Sequence, residues 1–153
     1  MAAEHRTLRF ESMVEAMAEV ERLAAAEVKT TGQFSLGQIL EHLARTLEIV
    51  LGKRELPKVA LPMRFFARLM RSSVLRKAST GFKLPDAAQS VLWPTEPVST
   101  EEGLARIRAA YEAFQACGTF PKHPFFGDMT KEQNHALQCR HFEGHLGFVH
   151  PIN

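Results

Sequence analysis

The stretch Ser35-Leu36-Gly37-Gln38-Ile39-Leu40-Glu41-His42-Leu43-Ala44-Arg45-Thr46-Leu47-Glu48-Ile49-Val50 decides how the chain folds. It opens with Ser followed three residues later by Gln, the capping-box pattern that satisfies orphan N–H groups at a helix start. Apolar residues then recur at Leu36, Ile39, Leu40, Leu43, Leu47 and Val50, the three- and four-residue spacing of a helix with one buried face. The same box stands at Ser12 with Glu15, Ser99 with Glu102, and Thr130 with Gln133. Four boxes predict four main helices. The first carries Met13, Met17, Val20 and Leu23–Ala24 on its stripe, and the third carries Leu104, Ile107, Tyr111 and Phe114. Stops are equally legible: Gly32 precedes the second helix, Gly52 and Pro57 follow it, Gly118 and Pro121 follow the third, and Pro151 follows the fourth. Arg9 and Phe10 lead into the first helix as an extended arm.

Between Gly52 and Val98 lies a connection far longer than the roughly 2–8 residues usual between bundle neighbours, so it must hold structure of its own. A short extra helix is expected from Pro62 to Ala78, then an irregular stretch through Gly81, Pro85, Trp93, Pro94 and Pro97. The fold class predicted is all-α: a four-helix bundle, residues 1–153 as one domain, with a long crossover connection between helices two and three.

With 153 residues the chain can bury roughly 68–70% of the surface its unfolded form exposes, enough for a core without disulfides. A net charge of +2, with no RNA- or DNA-reading motif, argues against nucleic acid. No run reaches the roughly 18 apolar residues of a membrane span, and Met1 to Phe10 lacks an apolar signal core. Cys117 and Cys139 form no CxxC and read as free thiols, so a cytoplasmic location is expected. Basic residues cluster from Lys53 to Lys83, where Arg64, Arg68, Arg71, Arg76 and Lys77 sit among Phe65, Phe66, Leu69, Met70 and Leu75. The segment could touch a membrane or an acidic partner. The plainer expectation is an amphipathic helix docked by its apolar side with its basic groups in water.

The fourth helix reads Leu137, His141, His145, Phe148 along one inward stripe. His42 lies on the buried side of the second helix, with Gln38 and Thr46 one turn away on either side, where they could supply supporting hydrogen bonds. Imidazoles at i,i+4 converge on one point about 2.0–2.1 Å from each ring nitrogen, and a third from a facing helix completes an open three-ligand metal site. The plainer alternative is three hydrogen-bonded core histidines, but burying them without a shared partner costs hydrogen-bonding energy at each. Glu143 is not the Glu of an HExxH metalloprotease, because it sits about 200° around the helix from His141; it is expected as a surface partner of Arg140. Cys139 should likewise face away from the histidine stripe. His135, His5 and His150 look weaker. His123 opens a loop, His123-Pro124-Phe125-Phe126-Gly127, and reads either as a loop residue bonded to backbone or as part of a pocket. Trp93 and Tyr111 read as packing aromatics that could line one.

The segments Phe34-Ser35-Leu36-Gly37-Gln38-Ile39-Leu40-Glu41-His42-Leu43, His123-Pro124-Phe125-Phe126-Gly127 through His141 and His145, and Arg6-Thr7-Leu8-Arg9-Phe10 together resemble the DinB-like (YfiT-like) superfamily of metal-dependent proteins, particularly its small branch of unknown function. The resemblance implies a four-helix bundle in which His42, His141 and His145 hold one divalent ion, nickel, zinc or similar, often in a homodimer. It further implies a thiol-dependent transferase or isomerase, and a small-molecule substrate or thiol as partner. The chain departs from the common double His followed by Arg-Gln, since Gly144 precedes His145 and Leu146-Gly147 follows it. The reaction expected is thiol-dependent transfer or metal-assisted hydrolysis. The rival is a non-catalytic bundle, a binding or interaction module with a vestigial histidine site.

Overall fold

A computed structural model describes residues 3–78 and 84–152. Gly81 and Lys83 lie outside the described residues. The described chain is mostly helical, with α1 (Met13–Ala24), α2 (Leu36–Val50), α3 (Leu61–Arg76), α4 (Asp86–Leu92), α5 (Thr100–Ala116) and α6 (Lys131–Leu146), and two short strands, β1 (Val28–Thr30) and β2 (Val149–Pro151). Ser12, Ser35, Ser99 and Thr130 are the N-caps of α1, α2, α5 and α6. The reciprocal box is complete at Ser35, Ser99 and Thr130. At α1 it is half made: Ser12 accepts from Glu15 N, but the Glu15 carboxylate takes the amide of Glu11 instead, at 2.7 Å.

Helix α2 lies along α5, α1 packs on α5 and α6, and α6 packs on α2 and α3. Leu40, Leu43 and Leu47 of α2, Ile107 and Phe114 of α5, and Phe142 and Leu146 of α6 meet in the core with no solvent exposure. Each such side chain contributes about 1.5–3 kcal/mol of apolar burial. Two glycines set how closely the α2–α5 pair approaches. A Cβ on Gly37 would overlap the Val98 carbonyl oxygen, and one on Gly103 would stand 2.6 Å from the Gly37 oxygen.

Four features depart from the sequence expectations. The stretch before Pro94, expected to be irregular, contains α4; at seven residues it is too short to show a helical repeat, yet it buries Ala88 and Leu92 one turn apart. Strands β1 and β2 pair antiparallel, Val28 with Pro151, Lys29 with His150 and Thr30 with Val149, so Pro151 closes a strand and does not merely follow a helix. Three-residue strands carry no alternation long enough to read. Glu143 is not on the surface: it is 2% exposed and its ion pair with Arg140, 2.5 Å long, is buried. Its other oxygen accepts the amide of Phe10, while Arg140 donates to the Phe10 carbonyl. Lastly, α3 is docked by only part of its apolar surface: it packs on α6 and turns Ala67 and Val74 inward, while Leu61, Phe65 and Leu69 stay exposed. Only Ala67 of that helix is buried.

The N-terminal arm runs over the end of α6. Arg6 N donates to the Gly147 carbonyl at 2.8 Å, its guanidinium reaches the Val149 carbonyl at 2.6 Å, and His5 meets the Gly144 carbonyl at 2.8 Å. A Cβ on Gly147 would collide with the His5 ring. The glycines that break the double-His pattern are thus where the arm lies down. No helix among the described residues is long and apolar enough to cross a membrane.

Replacing Gly37 by Ala forces backbone apart at the α2–α5 crossing and is expected to cost about 3 kcal/mol, the upper end of typical overpacking penalties, read as a lowered urea midpoint. An unchanged midpoint would show that the crossing is looser than described.

Candidate metal centre

Helices α2 and α6 bring three imidazoles to one point. His42 Nε2 lies 3.2 Å from His141 Nε2 and 3.1 Å from His145 Nε2, and the three ligand atoms all fall within 4.8 Å of one another. Metal–nitrogen bonds of about 2.0–2.1 Å separate the nitrogens of a tetrahedral set by about 3.3–3.4 Å and those of an octahedral face by about 2.8–3.0 Å. Both spacings from His42 fall between these values, and with all three ligand atoms within 4.8 Å of one another the set is compatible with one divalent ion.

The His42 ring is held on both nitrogens' terms. Its Nδ1 is 3.1 Å from the Leu92 carbonyl oxygen, which can only accept, so Nδ1 carries the proton and Nε2 presents a bare lone pair. One lone pair cannot serve hydrogen bonds from both other rings well, whereas a shared cation satisfies all three. The face of His42 stacks on Trp93 at 3.7 Å and 2°, and Trp93 stacks in turn on Phe34 at 3.9 Å and 11°. Leu92 ends α4 and Trp93 follows it, so the segment that lacked a readable repeat both bonds and clamps His42. Carbonyl partners of this kind orient metal-binding histidines and fix their tautomer. His141 Nδ1 is buried with no partner among the described residues.

Burial pushes the pKa of all three rings well below the ordinary imidazole value, and neighbouring rings add to the effect: His145 acts on His42, His42 on His141, and His141 on His145. The rings are therefore neutral at pH 7, the form that ligates metal.

The triad opens on a cavity of about 410 Å³ whose wall is mostly apolar, with Val50, Leu56, Phe66, Met70, Leu84 and Phe125 among its lining residues. Four further polar side chains reach it: Thr46, His123, Gln138 and Arg140. No Asp or Glu lines it among the described residues. Thr46 donates to the His42 backbone carbonyl at 3.0 Å, which supports the helix and not the ring. Gln38 stays in its capping box and reaches the Glu96 carbonyl, making no hydrogen bond to an imidazole. Trp93 lines the cavity; Tyr111 does not, and its hydroxyl accepts from Gln115 beside the core.

His123 is both of the things its sequence allowed. Its Nδ1 accepts the amides of Phe125 and Phe126 at 3.1 and 3.3 Å inside a loop closed by paired backbone bonds between His123 and Gly127, where Gly127 has φ +71°. The neutral ring must then carry its proton on Nε2, as a donor on the cavity wall. Burial lowers its pKa to about 4. Gln138 was missed by the sequence reading although it lies three residues before His141 and seven before His145, on the same face. It is 1% exposed, and its Oε1 has no partner among the described residues. Cys139 is turned away into the core, and burial pushes its thiol up to about 11. His135 packs on Phe114, and His150 reaches the Glu4 carbonyl and Thr31.

A family model, described as protein of unknown function (DUF1569), matches residues 2–152. The chain belongs to the DUF1569 family. No curated protein and no solved structure matches it.

Replacing Trp93 by Leu removes the stack on His42, and affinity for zinc or nickel, measured by competition with a chromophoric chelator, is expected to fall about 10–100-fold. An unchanged affinity would show that the Leu92 carbonyl alone orients the ring. The buried histidines also set a pH dependence. Between their lowered folded values and about 6.5 the unfolded chain binds more protons than the folded one, so stability is full above about pH 6.5 and falls with pH below it, by about 1.4 kcal/mol per pH unit for each such group. Metal-free protein should lose stability to urea between pH 6.5 and 4, with His123→Gln losing less. Equal slopes in the two proteins would contradict the burial of a neutral His123.

Proposed function

We propose that this DUF1569 protein is a divalent-metal-binding, DinB-like four-helix bundle, formed by α1, α2, α5 and α6 as one domain, and that it is an enzyme acting on a small molecule. The observation that carries the reading is the meeting of the His42, His141 and His145 Nε2 atoms with His42 Nδ1 tied to the Leu92 carbonyl. The ion, zinc, nickel or similar, would be held by these three rings and would supply Lewis acidity or activate a thiol.

The protein's own groups do the rest. Apolar walls from α2, α3 and the His123 loop take the body of a compact apolar substrate and keep water out. The His123 Nε2–H donor and the Gln138 amide orient its polar end. The reaction supported best is thiol-dependent transfer, with metal-assisted hydrolysis second, because no carboxylate among the described residues lines the cavity to act as a general base. In the transfer reading the thiol is a second substrate. Neither cysteine lines the cavity, and the Cys139 thiol stays protonated at neutral pH. The same absence of carboxylates and the apolar walls favour one other reading, a non-catalytic binding module that holds an apolar ligand in this cavity.

Metal analysis of protein prepared without a histidine tag tests the proposal. About one equivalent of a divalent ion is expected, with a melting temperature that falls when a chelator is added, and both effects should vanish in His42→Ala and His145→Ala. No bound ion after exposure to zinc or nickel, and no effect of chelator, would overturn the metal reading.

A further inference from the structure

Helix α3 carries an apolar stripe that faces water. Leu61, Phe65 and Leu69, spaced by four, are 73%, 67% and 67% exposed, and Phe66 and Met70 beside them, which also border the cavity, are 57% and 41% exposed. Five of the seven large hydrophobic residues exposed among the described residues thus lie on one helix. A contiguous patch of this kind on one element marks an interaction surface.

Its charge says what the surface meets. Residues 56–85 contain seven of the chain's 19 Lys and Arg and none of its 17 Asp and Glu, so the remainder of the chain carries more acid than base. The pairing of the arginines shows the same division. Among the described residues, all eight arginines outside α3 form an ion pair with a carboxylate, whereas Arg64, Arg68, Arg71 and Arg76 form none. Arg71 spends its donors on the Phe126 and Asp128 carbonyls, and Arg68 leans over Gly127. The segment keeps its positive charge uncompensated next to exposed Leu and Phe.

We propose that α3 is a docking surface for an anionic lipid membrane, with Leu61, Phe65 and Leu69 entering the boundary between head groups and acyl chains and the flanking arginines and lysines meeting lipid phosphates. A second copy of this chain is a poorer occupant, because a twofold contact would set the unpaired basic patch against itself. A nucleic acid would satisfy the charge and could stack a base on Phe65, but it would leave Leu61 and Leu69 at the two ends of the stripe in water. An anionic bilayer offers phosphates and, a few ångströms deeper, hydrocarbon, the two partners an interfacial amphipathic helix requires. The proposed attachment is peripheral, with no helix among the described residues long and apolar enough to cross a bilayer, and it is independent of whether the histidines hold a metal.

Co-sedimentation of the full chain with vesicles tests this. Binding is expected to vesicles of equal parts phosphatidylcholine and phosphatidylglycerol, at least about tenfold weaker to phosphatidylcholine alone, and weakening as salt is raised. Phe65→Ser with Leu69→Ser should reduce binding to the mixed vesicles by more than about tenfold with the melting temperature kept, since both side chains are exposed. Arg64→Glu with Arg68→Glu should do likewise. The proposal is overturned by failure of the wild-type chain to bind the mixed vesicles. It is overturned equally by undiminished binding of the Ser variant, which would reduce the effect to charge alone, or by a wild-type dimer that the Ser variant converts to monomer.

Discussion

Helix α6 is buried almost all the way round, and everything else in the molecule is arranged to satisfy that condition. Cys139, Phe142 and Leu146 face the core, Leu137 and Gln138 face the cavity, and Arg140 and Glu143 are buried between. A charged pair so enclosed is tolerable only if each member is fully paired, and losing one partner typically costs about 3–5 kcal/mol. Here the pair also grips both backbone groups of Phe10, so the N-terminal arm is part of its solvation. That grip fixes how α6 is rotated about its axis. With the Arg140–Glu143 side committed to the arm, His141 and His145 are turned toward α2.

The opposing ligand is positioned by different means. His42 comes from the best-patterned helix in the chain, yet its ring orientation depends on Leu92 and Trp93, which belong to the least patterned part. The long connection between α2 and α5 is therefore part of the candidate site. It delivers α3 as one wall of the cavity and α4 as the support for His42. The triad has two structural sources, a rigid helix pair and a connection folded over it.

The elements legible in sequence were those whose signals repeat. Capping boxes located the starts of α1, α2, α5 and α6, and the i,i+4 pair with His42 singled out residues that the structure brings together. Signals too short to repeat were not legible: α4 has fewer than two full periods, and β1 and β2 have three residues each. Burial misled in both directions. A charged residue like Glu143 is ordinarily read as exposed, and nothing local shows that an arm more than a hundred residues away will enclose it. The stripe on α3 is ordinarily read as buried, and periodicity shows that apolar residues share a face without showing whether anything covers it. Gln138 escaped notice because an amide carries no spacing rule of its own.

The glycine contact between α2 and α5 gives the molecule a mechanical asymmetry. Where backbone touches backbone there are no side-chain rotamers to absorb a displacement, so α2 and α5 move as one body. The opposite side of α2 borders a void roofed by a helix with one buried residue. Thermal opening is therefore directed to that side. Opening on the side of α3 breaks less packing than parting α2 from α5, because α3 buries one residue while Gly37 and Gly103 hold the other crossing at backbone contact.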